Sequence, residues 1–220
     1  MIEELKKLDS SHGRKLLLDF LTDKIKRPEL IDTFDKLTDI YYQVNSIVNI
    51  SAIKDVDDVY IKHYLDSIFP YEHFDGTVCD VGCGGGFPSL PLSIVTDCQI
   101  TGLDSVGKKL LLIQRASSEL YITNIKAEYS RSEDLAKLHR SYDTVCARAL
   151  GDVDKALSFC APLARPGGKV LLYRTQNDNQ AKQQTINKFK VTLADQIDYV
   201  LPGTDIKRRL LVYKKNHTNL

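Results

Sequence analysis

The chain has 220 residues, enough for one domain with a sizeable buried core and a small appended piece. Apolar residues make up 43% of it and charged residues 27%, an ordinary globular balance that excludes long disorder. With 30 basic and 29 acidic residues the formal net charge is +1, so no global field favours a polyanion and any such site must be a local patch.

The first 70 residues read as helix, an extension packed on a core formed by residues 71–220. After Ser10 and Ser11, a plausible N-cap, Leu17, Phe20, Leu21, Lys24 and Ile25 form an amphipathic stripe. Pro28 opens a second segment, in which Leu30, Phe34, Leu37, Tyr41, Val44 and Val48 recur at steps of four and three along one face of a long helix. A third helix spans about 56–69 and ends at Pro70. From Thr77 the texture changes. Short apolar, β-rich runs at 77–81, 99–103, 124–128, 142–146 and 169–173 alternate with helical patterns, notably 108–121 and 152–164. That alternation predicts a Rossmann-like α/β domain, a mostly parallel sheet covered on both faces. Two final strands, about 191–200 and 207–213, flank Leu201-Pro202-Gly203-Thr204 and supply an antiparallel edge, for seven strands in all.

The five cysteines (Cys79, Cys83, Cys98, Cys146 and Cys160) are odd in number and lack C-x-x-C spacing, which reads as reduced, buried thiols in a cytoplasmic protein without a metal site. The acidic start, Met1-Ile2-Glu3-Glu4, lacks the apolar stretch of a signal peptide, and no apolar run reaches membrane-spanning length. The expectation is a soluble chain with no membrane partner, in which nothing demands more than a monomer.

The most informative residues are Asp80-Val81-Gly82-Cys83-Gly84-Gly85-Gly86-Phe87-Pro88. A predicted strand runs into a glycine-dense loop, and a helix follows from near Pro88. Glycine lets the backbone turn sharply and approach a ligand, and a helix N-terminus presents free N–H groups. A dinucleotide fingerprint would need glycine at position 87, where Phe87 stands. The acid two residues before Gly82 instead matches the pattern typical of S-adenosylmethionine enzymes. Asp104 ends the next predicted strand, where a carboxylate can accept both ribose hydroxyls of an adenosine. The competing reading is a tight turn with a surface aspartate that binds nothing.

Taken together, these segments resemble the glucose-inhibited-division protein B family, the bacterial 16S ribosomal RNA guanine-N7 methyltransferases. The resemblance runs from about Phe34 to Thr175. It rests on Asn45 with Asn49-Ile50-Ser51-Ala52-Ile53, on Lys62-His63-Tyr64-Leu65-Asp66-Ser67, and on the glycine loop with its Gly-Phe-Pro ending. It continues through Asp104-Ser105-Val106-Gly107-Lys108-Lys109, Ser130-Arg131-Ser132-Glu133, Ala147-Arg148-Ala149 and Pro166-Gly167-Gly168-Lys169. The chain departs from the family at Cys83, where serine is usual, at Ser89, where glycine is usual, and at Arg174-Thr175, which replaces a common Lys-Gly.

The resemblance implies cofactor contacts at Gly82, Phe87, Ser132, Glu133 and Arg148, to which the loop pattern adds Gly84 and Asp104. Ser132 and Glu133 also read as a helix N-cap and its first-turn acid, and Arg148 as half of a structural ion pair. Guanine N7 offers a lone pair and loses no proton on methylation, so the chemistry needs no general base. Arg148 is then the residue to orient the cofactor carboxylate or guanine O6. Lys108, Lys109, Arg131, Arg174 and Lys207-Arg208-Arg209 are the local candidates for RNA phosphates, each equally readable as solvated surface. His63 reads either as pocket lining or as a structural histidine. The implied partner is 16S ribosomal RNA or the small ribosomal subunit. A methyltransferase acting on a small molecule or protein, and a cofactor-binding regulator without catalysis, are the alternatives.

Overall fold

The computed structural model describes residues 11–130 and 142–217. The N-terminal helices follow the predicted faces. Helix α1 (His12–Phe20) is capped by Ser11, whose side chain accepts from the Arg14 N–H, and continues through a wider turn at Leu21–Ile25. Pro28 begins a tight turn that leads into α2 (Ile31–Val48), and Asn49 closes that helix in the left-handed conformation that asparagine tolerates. In α3 (residues 56–68) ordinary helical turns at Val56–Asp58 and Asp66–Ile68 flank a wider π-type stretch, Val59–Leu65. Such stretches are rare and recur at functional sites. Polar ties fix the three helices to one another: Arg14 forks onto Asp35, which also accepts from the Tyr60 hydroxyl at 2.6 Å, while Asp57 accepts from the Ser11 hydroxyl and the Gly13 N–H.

Seven strands form one sheet: β1 (Thr77–Val81), β2 (Gln99–Asp104), β3 (Ile125–Tyr129), β4 (Tyr142–Arg148), β5 (Ala164–Arg174), β6 (Val191–Val200) and β7 (Lys207–Lys215), in the order β3-β2-β1-β4-β5-β7-β6. Strands β1 to β5 pair in parallel, and β7 runs antiparallel to both β5 and β6. The final hairpin therefore lies at the expected edge, with its second strand inserted inside its first. Burial explains that order. Leu210 and Val212 join one core cluster and Leu211 and Tyr213 the other, a two-faced apolar run that suits an interior strand. Most of β6 is exposed or half-buried, as suits an edge.

The same alternation divides the whole sheet. Val78, Ile100, Cys146 and Leu171 face a cluster shared with α1, α2, α3, α4 (Ser89–Val95) and α5 (Leu111–Glu119). Cys79, Leu103, Val145 and Leu172 face α6 (Val153–Cys160) and α7 (Gln183–Phe189). All five cysteines are buried and unpaired, and burial pushes each thiol above its ordinary range. Among the described residues no helix is long and apolar enough to cross a membrane.

Two boundaries differ from the sequence expectation. The helix expected to reach Ala164 stops at Cys160, because β5 starts at Ala164, with an irregularity in its pairing to β4 around Pro166-Gly167-Gly168. A Cβ on Gly168 would lie 2.9 Å from the Asp143 carbonyl oxygen, so the backbones meet there more closely than any side chain permits. Helix α7 was not anticipated. None of its residues is fully buried, so its polar sequence carries little apolar periodicity.

Phe34 is fully buried in the cluster that joins α2 to the sheet. Phe34→Ala is expected to cost about 3–5 kcal/mol in urea unfolding. The helices and sheet should still melt in one transition, and two separated transitions would contradict the shared core.

Candidate functional site

The order β2-β1-β4 makes the carboxyl end of β1 the point where chain connections depart in opposite directions, the place where open α/β sheets leave a ligand crevice. The glycine loop sits there. Gly82, Gly84 and Gly86 all have positive φ (72°, 55° and 91°), a conformation that side chains rarely adopt. A Cβ on Gly86 would press into Ile113 at 2.7 Å, and one on Gly85 would collide with Ile50, so these two glycines serve close packing of the chain on itself. A Cβ on Gly84 would meet nothing within 4 Å. That glycine faces open space and leaves its backbone bare.

Asp104, at the end of β2, is buried beside this opening. One carboxylate oxygen accepts from the Gly84 N–H at 2.8 Å and the other from the Val106 N–H at 2.8 Å. The acid and the loop, 20 residues apart, are thus directly bonded, with further lone pairs on the carboxylate still available to hydroxyl donors. Bare backbone facing open space, next to a carboxylate held by backbone donors, fits the ribose of an adenosine-containing cofactor.

Behind the loop Asp80 is fully buried and accepts from both the N–H and the hydroxyl of Ser89. Burial raises its carboxyl to about 6, against the opposing effects of Ser89 and of the Arg148 charge. The serine that replaces the usual glycine therefore serves the acid of the loop. Cys83 is buried with its sulfur against Gly102, a packing role that accounts for the other change in the loop.

Phe87 joins the loop to the N-terminal helices. Its ring stacks on His63 of α3 with centroids 4.1 Å apart and planes 5° apart, and the Arg148 guanidinium carbon lies 5.8 Å from its centroid. His63 Nε2 is 3.2 Å from the Ser51 hydroxyl, and its Nδ1 is buried without a hydrogen-bond partner among the described residues. Burial first, and then the Arg148 charge, push the imidazole down to about 3. The ring is neutral.

Arg148, at the end of β4, donates from Nη1 to the Lys62 carbonyl at 2.9 Å, and the same atom lies 3.6 Å from Asp66. Asp66 also accepts from Arg208 Nε at 3.0 and 3.1 Å. These groups line a cavity of about 380 Å³ together with Ile53, Lys62, His63, Ala149, Tyr173, Arg174, Thr175 and Asp178. Sequence reasoning gave Asp66 no role. Its signal was the three-residue spacing from His63, which puts both on one side of a helix.

The structure brings Gly82, Gly84, Phe87, Asp104 and Arg148 to one edge of the sheet. Lys108, exposed, and Lys109, half-buried, lie on the turn just beyond Asp104. Arg131, Ser132 and Glu133 lie outside the described residues. Arg174 is buried rather than on an open basic face, with its guanidinium donating to the carbonyls of Gly151 and Asp152. Lys207 is exposed, whereas Arg209 is tied to Asp198 of β6. The Pro166-Gly167-Gly168-Lys169 segment lies at the opposite end of the sheet, where Lys169 donates to the His73 carbonyl and pairs with Asp75.

The family model for rRNA small subunit methyltransferase G matches residues 30–212. The chain belongs to this family. It is 32% identical over 208 residues to the ribosomal RNA small subunit methyltransferase G of Lactobacillus johnsonii, covering 89% of this chain and 85% of the relative. It is 30% identical over 196 residues to the protein of the same name from Exiguobacterium sibiricum, covering 84% and 82%. Among solved structures, a SAM dependent methyltransferase from Aquifex aeolicus superposes with a TM-score of 0.56 at 12% identity, covering 79% of this chain and 97% of that one. Magnesium protoporphyrin IX methyltransferase from Synechocystis, solved with SAH bound, gives a TM-score of 0.53 at 19% identity, covering 81% and 94%. The fold of this family member is thus the Rossmann-like methyltransferase fold.

The buried His63 ring is expected to stay neutral, with no titration by NMR between about pH 5 and 8. A midpoint near the ordinary histidine value would mean that the stack on Phe87 does not hold in solution.

Proposed function

We propose that this chain transfers a methyl group from S-adenosylmethionine to N7 of a guanine in the 16S ribosomal RNA of the small ribosomal subunit. The observation that carries the reading is the pairing of Asp104 with the bare Gly84 backbone at the carboxyl edge, next to a cavity that contains Arg148. Family membership narrows the acceptor to small-subunit ribosomal RNA.

The bound cofactor supplies an electrophilic methyl on a sulfonium. The chain's own residues have three tasks. Gly82, Gly84, Phe87 and Asp104 hold the adenosine end, with Asp104 accepting from ribose hydroxyls. Ser132 and Glu133, carried over from the family pattern, complete the hold on the cofactor.

Arg148, fixed by the Lys62 carbonyl and Asp66, directs N–H donors either at the cofactor carboxylate or at guanine O6. It cannot occupy N7, which must stay free to attack. The neutral His63 ring, backed by Phe87, forms part of one wall and limits water around the reacting atoms. No proton leaves N7, so nothing in this arrangement has to act as a base; orientation at near-attack distance supplies the rate.

Lys108 and Lys109, beside the opening, pair with RNA phosphates, as does Arg131. In this reading the chain acts as a monomer in the cytoplasm, where ribosomes are made.

Incubation of small subunits that lack the modification with labelled cofactor is expected to place one methyl on a guanine N7, mapped by base-specific cleavage. Arg148→Ala should lose about a hundredfold or more in turnover. It should remain folded, because Arg208 still neutralises Asp66. Near-normal turnover would defeat the assignment of Arg148. Replacing Lys108 and Lys109 together by alanine should lower the slope of log affinity against log salt by about 1 to 2, with no change in cofactor affinity.

A further inference from the structure

We propose that Arg174 is a positioning residue for the cofactor loop, acting through the turn that follows β4 rather than by contact with RNA; the inference rests on the cofactor reading above. Arg174 ends β5 at only 7% exposure. Its Nη1 donates to the Gly151 carbonyl and its Nη2 to the Asp152 carbonyl, the latter at 3.3 Å. Its Nε is buried without a partner among the described residues, and with two of its nitrogens bound to backbone carbonyls little of the guanidinium is left for a phosphate on the surface.

The turn that it grips has an unfavourable backbone. Ala149 and Gly151 both take positive φ, 59° and 61°, before Asp152 caps α6 by accepting from the Lys155 N–H. An alanine in that conformation is strained and must be held there by its surroundings. Between the two, Leu150 reaches the glycine loop, and a Cβ on Gly82 would lie 3.0 Å from a Leu150 methyl. Gly82 is the first glycine of the loop and is itself left-handed, at φ 72°. A continuous path of contacts therefore leads from Arg174 through two carbonyls to Leu150 and on to Gly82.

The planar fork of arginine suits two adjacent carbonyls in a way that the single ammonium of lysine does not. This accounts for Arg174 in place of the family's common lysine. Thr175, in place of the following glycine, is used as well: its N–H and hydroxyl both donate to Asp178 at 2.8 Å, closing the next turn. Both departures brace the same edge of the site.

The test is calorimetric binding of S-adenosylhomocysteine, together with the salt dependence of binding to a 16S RNA fragment. Arg174→Ala is expected to bind S-adenosylhomocysteine about tenfold more weakly, while its salt slope for RNA stays at the native value. Arg174→Lys should recover part of the loss, because an ammonium reaches one carbonyl. Leu150→Ala, which changes no charge, should weaken binding to a similar extent, and it decides the matter alone if Arg174→Ala does not fold. Native cofactor affinity in these variants would overturn the proposal. So would a salt slope that falls by about one in Arg174→Ala, the mark of a phosphate ligand. A native protein that takes up no S-adenosylhomocysteine would instead remove the cofactor reading itself, and this inference with it.

Discussion

The site depends on what Phe87 touches. Its ring lies between the glycine loop, the third helix and the end of β4, stacked on His63 and beside Arg148. A glycine at that position would leave a gap where the N-terminal helices meet the sheet. The residue that breaks the dinucleotide pattern is therefore the one that attaches the N-terminal helices to the glycine loop. Because aromatic contacts of this kind hold only at close range and defined angles, the loop and the helices are constrained to keep one relative position.

That constraint gives the N-terminal helices a part in the site. The π-type stretch of α3 brings Lys62 and His63 to the cavity, the helical turn after it brings Asp66, and the Lys62 carbonyl and Asp66 carboxylate hold Arg148 in place. The segment after α2 adds Ile50, packed on Gly85, and Ser51, beside His63. Asn45 fixes that segment through hydrogen bonds to both the N–H and the carbonyl of Ser51. One hydrophobic cluster runs through all of these elements, so the division at residue 70 marks a change in secondary structure within a shared core.

The charges of the site are arranged by burial. Most cations near the cavity are already committed: Arg148 and Arg208 to Asp66, and Arg174 to backbone carbonyls. Two buried groups move in directions that favour a neutral interior. Asp80 rises because no water reaches it, and His63 falls for the same reason.

The sequence by itself determined the α/β class, all seven strands, the glycine loop with its acid, and the family, because these depend on local periodicity and on glycines whose conformations are written residue by residue. It also singled out Arg148, as a cofactor contact or as half of an ion pair. What it could not give was anything decided by partners distant in the chain. Arg174 reads as a surface cation until the Gly151 and Asp152 carbonyls are seen beside it, 22 or more residues earlier in the chain. Asp66 belongs to a family motif but has no role of its own until Arg208, 142 residues away, is folded against it. The insertion of β7 inside β6 likewise followed from which strand had two apolar faces to bury, a choice made only when the sheet closes. Backbone conformation is local, whereas ion pairing and burial are properties of neighbours, and only the tertiary fold chooses the neighbours.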